Sequence, residues 1–372
     1  MRLLDDALSA LAGIHLRHYK AILMLAFFST LLVGLGIFNV HMQTDIKKEM
    51  PQDLPVFRLQ DKVSDKFGES DLLLVVVEID PSSNTKSAPA DIRDPRVLSF
   101  LKGLESTLMD ENSVDRVSSA ASFLPSIPSS LDESKSIIAS TPPLQGFFNK
   151  DYTSTLIYIS STIGTDESKV VSLIDAVEQD IASAEKPPGV KVTVTGEPPI
   201  RNLIFGLLWE DAIKTIAIAS IAIFLLLVLM QGSLERAVLV FIPLSLGLMW
   251  TLGIMGWFDI PLSVATVGIG AMILGLGVEY GVFVVSRYYE EKERHPSDRA
   301  LSIAVTEIGT AIFGSGTTTI VGFGALLFAS MPMLQKLGLS LALGIALCLV
   351  AALFVNPSFI VLIEKKTGGW KK

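Results

Sequence analysis

The sequence predicts an α-helical polytopic membrane protein: six transmembrane helices, with an extracytoplasmic α/β domain of βαβ units between helices one and two. Three observations predict it. Half of the 372 residues are hydrophobic and only 18% are charged, and the mean hydropathy is +0.52, too apolar for an ordinary soluble domain. Apolar runs of about 20 residues, the length needed to cross a bilayer core, occur six times. One lies before residues 41–211 and five lie after them.

The runs are Ala21–Val40, Thr215–Leu234, Ala237–Phe258, Ile260–Ser286 (interrupted by Glu279), Ile303–Ala329 (with Glu307 near its start) and Leu337–Ile363. They divide the chain into a cytoplasmic amphipathic helix over 1–19, transmembrane helix one over 20–40, and an extracytoplasmic domain over 41–211. Transmembrane helices two to six cover 212–364, and a cytoplasmic tail covers 365–372. Leu3, Leu4, Ala7, Leu8, Leu11 and Ile14 recur at helical spacing, so residues 1–19 read either as an interfacial helix or as an extension of span one. The apolar core of span one is too long for a cleaved signal peptide, and no small-residue cleavage site follows it; it reads as a retained anchor.

In the inserted domain, "DLLLVVVEID" (Asp71–Asp80) has the pattern of a buried strand, and Asp94–Asp110 has helical periodicity behind an Asp-Pro start. Val114–Ser118 closes a first strand–helix–strand unit. Tyr152–Ser161, a capped helix over Thr165–Glu185 and the strand Val190–Gly196 form a second. Ser118–Pro143 is rich in serine and proline and reads as a mobile loop or hairpin. The domain shows no nucleophile elbow and no phosphate-binding glycine loop, which argues against an enzyme.

Charge assigns the sides. Asp45–Asp211 carries 27 acidic and 16 basic residues, a balance of −11, while the remainder is at +3. Arginines and lysines crowd the flanks on the side of the N-terminus, whereas the opposite ends carry only Lys214 and Lys336. The positive-inside rule then puts both termini in the cytoplasm and the acidic domain outside the cell membrane. A basic stripe for nucleic acid is missing. The lone Cys348 excludes an internal disulfide, and the four scattered histidines have no metal-ligand spacing, so neither a metal nor another cofactor is expected.

Glu279 is the residue that stands out. An ionisable group within a span costs a few kcal/mol or more and marks a pathway or a relay in most cases. It shares a stripe with Gly268, Met272, Gly275, Val282 and Ser286, and Gly275, Gly277 and Gly281 let a neighbouring helix come close. The next span supplies hydroxyls. Thr310, Gly314, Thr317 and Val321 share one face, and Ser315, Thr318 and Thr319 add more. No lysine or arginine sits in the middle of a span. Three roles compete for Glu279: a packing hydrogen bond, a cation site such as one for sodium, and a proton-loading group. The last is favoured. Glu307 reads as a residue reaching the interface, with a site role as its alternative, and Asn356–Pro357 reads as a kink in span six.

"GLGVEYGVFVVSRYYEE" and "AIFGSGTTTIVGFGALLFASMPMLQKLGLSLALGI" resemble the fourth, fifth and sixth spans of the resistance–nodulation–division (RND) superfamily, in its MmpL-like and hydrophobe/amphiphile exporter branch. The whole chain resembles one six-span half of such a transporter. The resemblance implies that Glu279 is the proton-relay acid, Tyr280 its neighbour in the motif, and Thr317 and Thr318 its hydrogen-bonding partners. Gly275, Gly277, Gly281 and Gly314 would pack around the relay, with Ser315 and Glu307 as further candidates. Two departures stand out: the family usually has Asp at the acidic position, and it usually holds two halves in one chain. The expectation is a half-transporter for lipids or other hydrophobic molecules, driven by the proton-motive force and paired with a second copy or a homologous half, a homodimer first. SecD/SecF-like export auxiliaries and sterol-sensing-like lipid-binding regulators are the alternatives.

Overall fold

A computed structural model describes residues 2–43, 49–51, 54–59, 71–83, 85, 87–161 and 167–370. The chain divides into two compact units, one formed by residues 1–51 and 207–372 and the other by residues 52–206.

The second unit is built on a four-stranded sheet. Its strands are β1 (Asp71–Ile79), β2 (Val114–Ser118), β3 (Ser154–Ser161) and β4 (Val190–Gly196). They lie in the order β2-β3-β1-β4, with every neighbouring pair antiparallel. The two expected strand–helix–strand units are therefore interlocked. β3 is inserted between β1 and β2, and β1 between β3 and β4, which is the ferredoxin-like split arrangement. Helices α1 (Pro95–Met109) and α3 (Glu167–Ser183) are the crossovers. Leu73, Val75 and Val77 of β1 alternate into the core with Ile157 and Ile159 of β3. There they meet Val97, Leu98, Leu101 and Leu104 of α1 and Val170, Leu173 and Val177 of α3. Asp94 caps α1 by accepting the Arg96 backbone N–H. The start expected for α3 at Thr165 lies outside the described residues.

Ser118–Pro143, expected as a mobile loop or hairpin, is instead ordered. A 3-10 turn at Ala120–Phe123 is closed by a capping box between Ser119 and Ser122. Helix α2 (Leu131–Ser140) follows, with the Ser130 hydroxyl accepting from the Glu133 N–H. Ile138 and Leu144 are fully buried in the domain core. The serines that looked like loop composition act as helix caps.

Among the described residues, six helices are long and apolar enough to cross a membrane. Span one is a helix over Arg2–Gly34, bent where His18 departs from helical geometry (φ −123°, ψ 24°), and it ends in a 3-10 turn, Leu35–Asn39. Span two is Glu197–Gln231, span three Leu234–Trp257 and span four Ile269–Lys292. Span five runs from Ser297 to Phe328 and span six from Pro332 to Thr367. Each of the last two is interrupted by a π-helical turn, at Ala304–Ile308 and Ala351–Val355. The second follows from Pro357, which has no N–H to continue the helix. The expected run Ile260–Ser286 is helical only from Ile269 onward. Pro261 and a Ser263–Thr266 turn keep the preceding stretch out of the helix, and Leu262 pairs with the chain leaving span one through its hydrogen bonds to His41 and Gln43.

Spans one and three cross at backbone distance. A Cβ on Gly36 would collide with the Gly253 carbonyl, and one on Gly253 with the Val33 carbonyl. Trp250 on span three donates its indole N–H to Thr30 on span one at 2.8 Å. The buried core of the unit runs through Leu244, Ile273, Val284, Tyr288 and Ile345.

Candidate functional site on the fourth and fifth spans

Span four has two unlike faces. Ile273, Gly277, Tyr280, Gly281, Val284 and Tyr288 are buried against neighbouring helices. Gly277 is where Cys348 and Leu244 close in, and Gly281 is where Val240 does, so these two glycines are the close-packing positions. Met272, Gly275, Leu276, Phe283 and Ser286 are exposed, and Glu279 is half-buried at the border between the faces. Gly275 and Gly314, expected to pack around the relay, instead face open space: a Cβ at either would meet nothing within 4 Å.

The hydroxyl stripe of span five is uncovered as well. Gly314, Ser315, Thr317, Thr318 and Val321 are all exposed. The threonine hydroxyls are spent within their own helix. Thr317 donates to the Phe313 carbonyl at 2.7 Å, and Thr318 and Thr319 donate to the Ser315 carbonyl at 2.7 and 3.0 Å. Among the described residues, Thr317 and Thr318 donate to their own helix and not to Glu279. No cation pairs with Glu279 among the described residues.

Tyr280 points the other way. Its ring is buried, and its hydroxyl has no hydrogen-bond partner of good geometry among the described residues. The Thr319 hydroxyl is the polar group close enough to act on it, and Gly316, lacking a side chain, leaves room for it.

Glu307 is drawn into an ion-pair network at the far end of span four. Arg287 donates to Glu307 at 2.7 Å and also reaches Glu290 at 3.1 Å and Glu291 at 3.0 Å. Lys292 is paired with the buried Glu364 of span six. This network ties spans four, five and six together at one end and leaves Glu307 exposed.

Sequence reasoning overlooked His15. It is fully buried, with Nδ1 2.7 Å from the Ser358 hydroxyl and Nε2 3.2 Å from the Leu353 carbonyl. Leu353 lies four residues before Pro357, so its carbonyl lacks the usual helical donor. Since a carbonyl only accepts, Nε2 carries the proton, and in the neutral ring Nδ1 accepts from Ser358. The signal was present: His15 falls on the same helical stripe as Leu8, Leu11 and Ala12. Nearby, both side-chain atoms of the buried Asn356 amide lack partners among the described residues. No cluster of three or more potential metal ligands occurs among those residues.

Comparisons place this arrangement among known proteins. The profile of the MMPL family matches residues 95–372. MJ1562 of Methanocaldococcus jannaschii, named as a membrane protein, is 36% identical over 361 residues, covering 94% of this chain and 93% of that protein. MmpL2 of Mycobacterium tuberculosis is 29% identical over 54% of this chain, which corresponds to 21% of its own length. The sulfolipid-1 exporter MmpL8 of the same species is 32% identical over 100 residues, 27% of this chain and 9% of that one. The chain thus matches nearly all of the first relative and only a small share of the mycobacterial ones.

Proposed function

Because the chain belongs to the MMPL family, we propose that it is an RND-type half-transporter for lipids or other hydrophobic amphiphiles, working as a paired assembly in the cell membrane. Glu279 is its proton-carrying group. The observation that carries this reading is the uncovered face of spans four and five, where Gly275, Gly314 and Thr317 are exposed and Glu279 lies at the edge without a partner among the described residues. An acidic group costs several kcal/mol in hydrocarbon, so such a face requires a cover. A second half supplies one, bringing a second carboxyl and a second hydroxyl stripe close to the first. Closed two-fold pairing is the commonest assembly of soluble oligomers and the simplest form here.

Proton loading of Glu279 removes its charge, and proton release restores it. A helix pair that tolerates only one of these states is the two-state element that a proton gradient can bias. Each proton moving down a 100 mV potential supplies about 2.3 kcal/mol. The name of MmpL8, a sulfolipid-1 exporter, supports a lipid as cargo. The basic flanks support cytoplasmic termini. Spans one and two lead directly into and out of the sheet domain along the chain, and they are the route by which movement in the bundle reaches it.

The test is reconstitution into vesicles with an imposed pH gradient and a fluorescent lipid. Wild type moves lipid in proportion to the gradient, Glu279→Gln does not, and Glu279→Asp retains part of the rate. Movement that ignores both the gradient and the Gln substitution refutes the reading.

A further inference from the structure

Two apolar cavities lie side by side on the first unit, and Glu279 lines neither. One has a volume of about 360 Å³ and the other about 540 Å³, and both are lined by Leu11, Ile14, Val350 and Phe354. They form one groove between the bent N-terminal part of span one and span six, with Trp250 of span three on its wall. Each volume falls in the range of small-molecule sites. The groove offers almost no polar contact: the Ser29 hydroxyl on its wall is spent on the Ala26 carbonyl.

The groove's rim has a different character. The bend at His18 joins the two walls Ile14 and Ile22, and Arg17, His18 and Lys20 are exposed there. Lys365 is held beside them, its Nζ 4.6 Å from the Tyr19 ring and 5.3 Å from the Trp370 ring, with exposed Lys366 following. Among the described residues, none of Arg17, Lys20, Lys365 and Lys366 has a carboxylate partner; the neighbouring Glu364 is buried and already paired with Lys292.

We propose that this groove is a binding site for one anionic two-chain phospholipid, with its acyl chains along Leu11, Ile14, Val350 and Phe354 and its phosphate among Arg17, Lys20 and Lys365. The charge of the rim selects the occupant. A zwitterionic lipid gains the same apolar contact and brings no net charge to the cations, whereas each basic residue near a membrane surface favours an anionic headgroup by about 1 kcal/mol. The His15 contacts to Ser358 and the Leu353 carbonyl hold the N-terminal helix in place as the groove's wall. The site does not depend on transport, and its occupant is a resident lipid rather than cargo.

Trp250 is a built-in reporter. The full chain is placed in vesicles of phosphatidylcholine containing equal fractions of acyl-brominated phosphatidylglycerol or acyl-brominated phosphatidylcholine, and fluorescence quenching is measured. The part absent from Trp250→Phe is assigned to the groove. Brominated phosphatidylglycerol is expected to quench Trp250 at several-fold lower mole fraction than brominated phosphatidylcholine. Each of Arg17→Gln, Lys20→Gln and Lys365→Gln should reduce that preference about fivefold; these side chains are exposed, and circular dichroism checks that the fold is kept. Val350→Phe, which fills the groove, should abolish Trp250 quenching by both lipids. Equal quenching by the two lipids overturns the proposal, because the groove then holds bulk lipid. So does a preference that survives all three charge removals. Quenching that falls as protein density rises also overturns it, since a second copy is then the occupant.

Discussion

Replacing His15 with Phe keeps a ring in a fully buried place and removes both of its hydrogen bonds, to Ser358 at 2.7 Å and to the Leu353 carbonyl at 3.2 Å. The carbonyl is the sensitive partner. Pro357 cannot donate to it, so losing His15 leaves a buried acceptor unsatisfied in apolar surroundings, which costs about 1–3 kcal/mol. The Ser358 hydroxyl can turn to another acceptor and adds less. Pro357→Ala restores a backbone N–H four residues after Leu353, which provides a control. If the Leu353 carbonyl carries the effect, His15→Phe should cost about 2 kcal/mol in the native background and about 1 kcal/mol less when Pro357 is Ala. Unfolding in mixed micelles with increasing denaturing detergent, followed by tryptophan fluorescence, measures all four corners of the cycle. A His15→Phe cost below about 0.5 kcal/mol, or one that is the same with and without Pro357, refutes the reasoning.

Gly253→Leu should prevent stable assembly of the bundle, because its Cβ collides with the backbone of span one; detergent extraction followed by size-exclusion chromatography reads the loss. Gly275→Leu has open space in the single chain, so it should leave the unfolding free energy within about 0.5 kcal/mol of wild type while abolishing pairing and gradient-driven lipid movement. In the sheet domain, burial raises the Asp91 carboxyl, but the Arg93 guanidinium hydrogen-bonded to it outweighs this and holds it below the usual range. Asp94 is lowered chiefly by its bonds to Arg96. Both are more acidic folded than unfolded, so their stabilisation is complete above about pH 4 and is lost as pH falls through the lowered values. Hydrogen exchange of α1 and β1 in the full chain should therefore speed up below about pH 4, less so in Asp94→Asn. Glu307→Gln, which breaks an exposed ion pair with Arg287, should change stability by no more than about 1 kcal/mol and leave lipid movement intact.

Much of this architecture is written in local pattern. Six spans follow from apolar length alone. β2 and β4 were bounded to the residue, because alternation and turn residues are short-range signals. Pairing was not legible. Leu73 and Val75 mark a buried strand but do not say that Ile159 and Ile157, more than 80 residues away, will lie beside them, so the interlocking of the two βαβ units had to come from the structure. Helix α2 was hidden because only a few apolar residues, Ile138 among them, anchor it, and its serines resemble a loop. The non-helical stretch before Ile269 was hidden by its hydrophobicity, since apolar length does not distinguish a span from a buried turn. At the candidate site, Glu279 was visible as a charge out of place. The exposure of its face was not, because which side of a helix is covered depends on partners that the local sequence does not name. His15 lay on an apolar stripe and was passed over because its partner, the Leu353 carbonyl that Pro357 cannot donate to, is more than 300 residues away.

The central claim is that the face bearing Glu279 is completed by a second half. Thr317→Cys in a Cys348→Ser background places one thiol on that face. Leu229→Cys, 80% exposed on span two, places one elsewhere on the bundle. Oxidation in native membranes followed by non-reducing electrophoresis compares the two directly. The account predicts a covalent dimer from Thr317→Cys at low expression, with Leu229→Cys remaining monomeric. Equal, weak cross-linking from both positions, together with a monomer mass in nanodiscs, contradicts it.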